Sequence, residues 1–232
     1  MQLLSIESDA KTIKGKSAGY LTGILYLAPA NESGVMNTCA YASAGCRAGC
    51  LFTAGRAAIF PRIIAARIEK TRFLARDREA FLEQLRREIR GLVRRASRRG
   101  LRPAVRLNGT SDLAWLPLRL CAEFPGVRFY DYTKLPKPWL RVRSNYHLTF
   151  SASESNLADV FAALEHKVNV SVVFSTRKGQ ALPKMWNGYR VVDGDRHDLR
   201  FLDGMRGLVI GLRAKGKAKK DTSGFVQIAL AA

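Results

Sequence analysis

Seven apolar runs, each ending in polar residues, constrain the fold of this chain more than any other feature. They occupy residues 19–29, 104–112, 127–134, 146–155, 168–179, 189–198 and 207–217. Helical patterns lie between some of them, at 114–124 and 157–167. Repeated strand, polar loop and helix are typical of an α/β domain with buried, mostly parallel strands. We expect a partial or irregular (β/α) barrel of about six to seven mostly parallel strands, with an open doubly wound sheet as the alternative.

A long helical segment, residues 61–99, follows the first apolar run. Apolar residues recur at helical spacing in it, as Phe81, Leu85 and Ile89 do. Asp77 is placed to cap a second helix, and Gly100 is placed to end it. The 232 residues fit one α/β domain, 1–232, in which a cysteine-rich loop at 31–61 precedes the helices.

Three cysteines in the loop at 31–61 are the strongest chemical signal. Cys39, Cys46 and Cys50 are separated by six and three residues, among Ala, Gly and Ser that let a backbone wrap closely. Thiolates bind soft metals, and three of them suit an iron–sulfur cluster whose remaining iron takes an exogenous ligand. Zinc is the alternative and requires a fourth protein ligand, for which Cys121 and His147 are candidates. Plain packing residues or a redox cysteine are the other readings.

The net charge of +20, from 39 Lys and Arg against 19 Asp and Glu, indicates a polyanionic partner such as nucleic acid or a nucleotide. An arginine-rich composition with solvated basic faces is the simpler explanation. Basic residues on the second helix are spaced to form a stripe: Arg86, Arg87, Arg90, Arg94, Arg95, Arg98 and Arg99. A lysine-rich loop after the last run is predicted to bind phosphate: Lys215, Lys217, Lys219 and Lys220.

Polar residues follow the second, third and fourth apolar runs. The carboxyl ends of parallel strands form the usual ligand site, so we expect these residues to meet there. The candidate catalytic residues are Asp112, Asp131, Lys134, His147 and Glu154. The candidate substrate-binding residues are Asn108, Thr110, Ser111, Tyr132 and Ser151. Asp112 could instead cap the next helix, and His147 could be a core histidine.

A group of acidic residues and one histidine, at 193–198, is the densest of its kind in this basic chain. Asp193, Asp195, His197 and Asp198 could coordinate a divalent cation, or could orient basic side chains in a salt-bridged turn. The spacing is not that of an EF-hand loop.

The motifs MNTCAYASAGCRAGCLFTAGR, RIEKTRFLARDREAFLEQLRREI, RLNGTSD, FYDYTK and NYHLTFSASESN resemble an uncharacterised family, gene product eighty-eight, encoded mainly by phages and prophages. The resemblance runs from about Gly34 to Phe225. It implies a phage or mobile-element origin, hence the cytoplasm of a bacterial host, and supplies no activity. The lack of a signal peptide or membrane-length apolar run agrees with that location.

The layout is also similar to that of the radical S-adenosylmethionine enzymes, because a three-cysteine loop follows the first strand of a barrel-like chain. The gaps of six and three residues differ from that superfamily's three and two, and no Gly-Gly-Glu follows the second strand. We expect an iron–sulfur enzyme that modifies nucleic acid or nucleotides, with S-adenosylmethionine as a candidate cofactor. The alternatives are a non-catalytic nucleic-acid-binding module with structural zinc, and a phage protein that binds an acidic host partner.

Overall fold

The computed structural model describes residues 1–7, 13 and 15–229, and is built around a mostly parallel sheet of ten strands in that part of the chain. The strands are β1 (Leu4–Ile6), β2 (Tyr20–Leu25), β3 (Arg102–Arg106), β4 (Arg128–Thr133), β5 (Tyr146–Ser151), β6 (Val170–Phe174), β7 (Met185–Trp186), β8 (Tyr189–Asp193), β9 (Val209–Arg213) and β10 (Val226–Gln227). The helices are α1 (Ala44–Ala48), α2 (Arg56–Ile59), α3 (Pro61–Arg76), α4 (Arg78–Ser97), α5 (Trp115–Glu123) and α6 (Leu157–Glu165).

The strand order is β1-β2-β3-β4-β5-β6-β9-β8-β7, with β10 paired to β6. Neighbours from β2 to β6, and then β9 and β8, run parallel, whereas β1 and β7 are antiparallel edges. The predicted α/β class and mostly parallel sheet are therefore confirmed. The predicted barrel is not closed, because β1 and β7 remain unpaired edges of the described sheet. The order β2 to β6 also lacks the central reversal of a doubly wound sheet.

Helices α4, α5 and α6 cover one face of this sheet. Apolar residues of α4, including Phe81, Leu85 and Ile89, are fully buried against β2 and β3. The helical segment divides at Asp77 as expected, because the Asp77 carboxylate accepts a 2.9 Å hydrogen bond from the Ala80 N–H and caps α4. Gly100 follows with a positive φ of 63°, a conformation that glycine adopts without strain.

The opposite face of the sheet is covered by a 3₁₀ turn (Arg200–Asp203) instead of a helix. Leu199 packs there against Tyr20, Ala104 and Tyr130, with Phe201 beside them. The core therefore has two sides, a large apolar one under the helices and a smaller, partly polar one under this turn. None of the helices in the described residues is long and apolar enough to span a membrane.

Strand β6 is shared between two partners along the edge that faces away from β9. Val170 and Ser171 pair with the end of β5, and Val173 and Phe174 pair with β10. The C-terminal strand therefore begins where β5 ends, which brings residues 214–225 over the carboxyl edge of the sheet.

Candidate functional site

The cysteine-rich loop leaves β2 at the carboxyl edge of the sheet and is held there by a carboxylate from another strand. Glu154, which follows β5, accepts hydrogen bonds from the Ser43 hydroxyl at 2.8 Å and the Gly45 N–H at 2.7 Å. Burial raises the pKa of Glu154, but these two donors outweigh that effect and leave the pKa below its ordinary value. Ser43 in turn caps α1, because its hydroxyl accepts from the Cys46 N–H at 3.2 Å. Glu154 therefore fixes the segment that carries Cys46.

The three cysteine thiols are reduced and lie close enough for their charges to interact. Burial raises the pKa of the Cys39 thiol, and the charges of Asp112 and Cys46 raise it further. Burial raises the pKa of Cys50 to about 11, with contributions from Cys46 and Cys39. The Cys39 sulfur lies 3.8 Å from both the Thr110 carbonyl and the Thr38 hydroxyl oxygen. The three thiols are thus half-buried neighbours in the loop that follows β2.

The cysteine thiols do not form a ready-made coordination sphere. Across residues 1–7, 13 and 15–229, no three His, Cys, Asp or Glu side chains are arranged so that they could hold a metal ion. The two alternative zinc ligands lie elsewhere. Cys121 belongs to the apolar core under α5, and His147 lines a cavity at the amino ends of the strands. A metal on these thiols would therefore require the loop to close around it.

A buried polar network lies behind the cysteine loop, at the ends of β3 and β4. The Asn108 backbone N–H donates to the Asp131 carboxylate at 2.7 Å, and the Ser111 hydroxyl donates to the Asn108 side-chain Oδ1 at 2.9 Å. The Asp112 carboxylate accepts from the Lys134 N–H at 2.7 Å, and the Asp112 N–H donates to the Thr38 carbonyl at 2.8 Å. This network connects the strand ends to the residue that precedes Cys39.

Two carboxyl groups of this network have raised pKa values. Burial raises the pKa of Asp131 to about 7, although Arg106 and the donors of Asn108 act in the opposite direction. Burial also raises the pKa of Asp112, against the hydrogen bond from the Lys134 N–H. A buried carboxyl group that titrates near neutrality is a common feature of functional sites, and it also occurs in structural networks.

The lysine-rich loop packs directly on the cysteine loop. A Cβ added to Gly45 would lie 2.7 Å from the Phe225 Cβ, and one added to Gly49 would lie 3.1 Å from the Ala218 Cβ. Glycine is required at Gly45 because that approach leaves no room for a side chain. The 3₁₀ turn Gly216–Lys220 leaves its lysines exposed beside the cysteines: Lys217, Lys219 and Lys220. The Lys134 ammonium lies 5.6 Å from the Phe225 ring centre and adds a further positive charge.

The acidic group at 193–198 is ion-paired. Arg213 lies 3.0 Å from Asp193 and 3.1 Å from Asp195, and Lys215 lies 2.6 Å from Asp195. Asp198 is buried and receives Arg106 at 3.1 Å and the Tyr130 hydroxyl at 3.2 Å. His197 faces Asp203 at 3.6 Å. The sequence allowed either a divalent-cation site or a salt-bridged turn, and in the structure these carboxylates form a salt-bridged turn.

The remaining predicted residues lie on the face of the sheet that the 3₁₀ turn Arg200–Asp203 covers, which we call the inner face. The Arg106 guanidinium lies over the Tyr132 ring, 4.7 Å from the ring centre. Burial raises the pKa of Tyr132 to about 12. The Ser151 hydroxyl lies 3.2 Å from that of Ser171. Burial lowers the pKa of His147 to about 4, so this imidazole is neutral at pH 7. His147 borders a cavity of about 320 Å³ at the strand ends opposite the cysteines.

The structure thus brings only part of the predicted set together. At the carboxyl edge it gathers the three cysteines with predicted polar residues and the lysine loop: Asn108, Thr110, Ser111, Asp112, Asp131, Lys134 and Glu154. His147 and the acidic group do not join them. Sequence reasoning missed Arg106 and Arg200, the two buried arginines of the inner face. Arg106 had a signal, since it is a cation at an alternate position of an apolar strand, whereas Arg200 had none.

Comparison with known proteins gives one match. The family model described as Gene product 88 matches residues 2–228 of the chain. No curated protein and no solved structure matches it.

Proposed function

The chain belongs to the Gene product 88 family, and we propose that it is an enzyme that holds an iron–sulfur cluster on Cys39, Cys46 and Cys50 and acts on nucleic acid or nucleotides. The observation that carries this proposal is that three reduced thiols lie within interaction distance of one another in the loop that follows the first of the consecutive parallel strands. That edge is where α/β sheets of this kind bind their ligands.

The electrostatics of the thiols favour a cationic ligand. Deprotonation of Cys39 and of Cys50 is opposed by burial and by the charges of neighbouring sulfurs, so these thiolates are unfavourable without a positive centre. A metal centre displaces the protons and neutralises the sulfurs. Closure of the loop around it is compatible with the small residues that surround Cys46 and Cys50.

Iron–sulfur binding fits this donor set better than zinc. A structural zinc site takes four protein ligands, and Cys121 and His147 both lie away from the loop. A cluster with three cysteine ligands leaves one iron open to an exogenous ligand. The sequential order of β2 to β6 supports the comparison with radical S-adenosylmethionine enzymes, and S-adenosylmethionine is therefore our candidate for that ligand.

The surrounding residues suggest how a phosphorylated substrate would be held. Lys217, Lys219 and Lys220 would bind phosphate at the rim, with Lys134 and Lys215 nearby. Asp112 and Asp131 would position the strand ends, and the near-neutral pKa of Asp131 would let it hold a proton. Glu154 would act by fixing the cysteine loop.

Anaerobic purification with iron and sulfide reconstitution tests the proposal. We expect a brown protein that absorbs near ~400 nm and contains about four irons per chain. The variant in which Cys39, Cys46 and Cys50 are all serine should lose iron and colour. Cys121→Ser is the matched control and should retain both, because Cys121 is a core residue.

Other outcomes would reject this proposal in favour of a named alternative. A colourless protein with about one zinc would favour the non-catalytic nucleic-acid-binding module. A metal-free protein whose capture of an acidic host protein survives nuclease treatment would favour a phage interaction protein. Iron content that is unchanged in the triple serine variant would exclude the cysteines as ligands.

A further inference from the structure

Three arginines near the C-terminal end of α4 border one surface cavity. Arg94, Arg95 and Arg98 are exposed and line a cavity of about 360 Å³ between α4 and the N-terminal strand. Among the described residues, none of their guanidinium groups has an ion pair or a side-chain hydrogen bond. Three positive charges therefore lie together with no ion-pair partner in the part of the chain that the structure describes.

Three other arginines of the predicted stripe are ion-paired. The ion pairs are Arg86 with Glu123 at 2.7 Å, Arg90 with Glu83 at 3.1 Å, and Arg99 with Glu7 at 2.8 Å. Of the predicted stripe, Arg87 is exposed outside the cavity and has no ion pair among the described residues.

The acidic residue that lines the cavity is already occupied. The Glu88 carboxylate accepts the Leu3 N–H at 2.8 Å, the Leu4 N–H at 2.7 Å and the Gln84 amide at 3.0 Å. It anchors β1 to α4 and has no hydrogen bond to the arginines. An anion from outside the chain would therefore meet three guanidinium groups with free donors.

Gly91 leaves the cavity open at its floor. No heavy atom lies within 4 Å of the position that a Cβ on Gly91 would take. Glycine weakens a helix relative to alanine, and neighbouring atoms do not exclude a side chain here. An open floor between cationic walls is suited to a ligand that approaches closely.

We propose that the cavity bordered by Arg94, Arg95 and Arg98 docks the phosphodiester backbone of a nucleic acid, without reading its bases. Four residues of helix separate Arg94 from Arg98 by about 6 Å along the axis, so the two can contact neighbouring anionic groups. Guanidinium groups bind phosphate in a bidentate manner. This inference rests on the nucleic-acid part of the proposed function and is independent of the cluster.

The position of the cavity makes it an anchor and not a reaction site. α4 ends just before β3 begins, so its last turns lie toward the amino ends of the parallel strands. The cysteines lie at the carboxyl ends. A nucleic acid held at this cavity would be bound remotely from the cysteine loop, as a positioning contact.

Binding of a fluorescein-labelled 20-base-pair DNA duplex, and of an RNA duplex of the same sequence, tests the proposal by anisotropy across a salt series. The variant Arg94→Gln, Arg95→Gln, Arg98→Gln should weaken binding at least tenfold and reduce the slope of log K against log salt by about 2 to 3. Whether the triple variant binds the DNA duplex, the RNA duplex or both more weakly than the unmodified protein does shows which nucleic acid the cavity docks.

The matched control removes the same charge elsewhere. Arg177→Gln, Lys178→Gln, Arg190→Gln changes three exposed cations near β7 and β8 and should alter affinity less than twofold. An equal loss in both triple variants, no loss in the first, or no binding by the unmodified protein would overturn the proposal. Unchanged circular dichroism and iron content in the first variant separate this result from misfolding and from failure of the cluster proposal.

Discussion

The cysteine loop and the acidic turn at 193–203 both carry clustered metal-ligand side chains, yet their surroundings are opposite. Each of Asp193, Asp195 and Asp198 meets an arginine or a lysine within 3.1 Å. The Cys39 sulfur has uncharged neighbours instead, the Thr110 carbonyl and the Thr38 hydroxyl, both at 3.8 Å. Density of ligand-type residues along a sequence therefore does not identify a site. The availability of those residues after folding distinguishes a structural cluster from a candidate centre.

Breaking the buried ion pair of the acidic turn should have the largest effect. Asp198→Asn leaves the buried Arg106 without its counter-ion, because the two side chains are 10% and 7% exposed. We expect unfolding free energy to fall by about 3 kcal/mol in urea denaturation. Asp193→Asn, at a side chain that is 36% exposed, should cost less than about 1 kcal/mol. Equal costs at the two positions would show that the turn is not held by its buried pair.

Releasing the cysteine loop should have an intermediate effect on stability and a larger one on reactivity. Glu154→Ala removes the acceptor of the Ser43 hydroxyl and the Gly45 N–H, at a cost of about 1–2 kcal/mol. Alkylation of Cys46 by iodoacetamide should become several-fold faster. Glu165→Ala, at an exposed position at the end of α6, should change neither quantity. Unaltered alkylation in Glu154→Ala would contradict the anchoring role.

The pH dependence of stability should have opposite directions in the buried network behind the cysteine loop and in the acidic turn. The native pKa of Asp131 is about 7, whereas an unfolded aspartate titrates near ~3.9. The native state therefore retains this proton between those values, and the Asp131 contribution to stability falls as pH rises from about 4 to about 7. Asp131→Asn should remove that decline in denaturation curves measured across this range.

Asp195 provides the opposite case. Burial raises its pKa, but Lys215 and Arg213 outweigh burial and leave it lowered. Its stabilisation is present above an unfolded pKa of about 3.9 and is lost as pH falls below that value. We expect the unfolding free energy of Asp195→Asn to decline between pH 4 and 7 as much as that of the unmodified protein, because Asp131 is intact in this variant. If Asp195→Asn lost this decline, Asp131 would not be the carboxyl group that causes it.

The smallest effect should follow removal of the exposed cation of the acidic turn. Lys215 is 59% exposed, so its pair with Asp195 is screened by solvent. Lys215→Gln should lower unfolding free energy by about 0.5 kcal/mol at low salt, and by less at 1 M salt. A loss above about 2 kcal/mol would show that the turn depends on its exposed pair as much as on Arg106 and Asp198.

Local patterns were sufficient to predict the long elements of this fold. The Asp77 cap, the helices on either side of it and the seven apolar runs all correspond to elements of the structure. β1, β7 and β10 were missed because two or three residues are too few to show a period. Two of these short strands, β1 and β7, form the open edges of the sheet. Because the sequence did not reveal them, it could not show that the sheet stays open.

The candidate site was predictable only where it is local. The cysteine cluster spans twelve residues and is visible directly, and strand-end polar residues follow from the α/β pattern. The contacts that define its surroundings join distant positions: Glu154 is 111 residues from Ser43, and Asp198 is 92 residues from Arg106. No propensity or spacing encodes such pairs. The sequence could therefore list the acidic turn as a metal site with nothing to show that its charges are already satisfied.

The shared edge of β6 has a consequence for the order in which the molecule is completed. Residues 214–225 reach the cysteine loop only because β10 occupies the half of the β6 edge that β5 leaves unpaired. A ribosome makes this segment about 175 residues after Cys50, which at 5–20 residues per second is roughly 10–35 s later. During that interval the nascent cysteine loop has no lid. The proposed metal centre would therefore meet an uncovered cysteine loop before this segment is made, and a covered one afterwards.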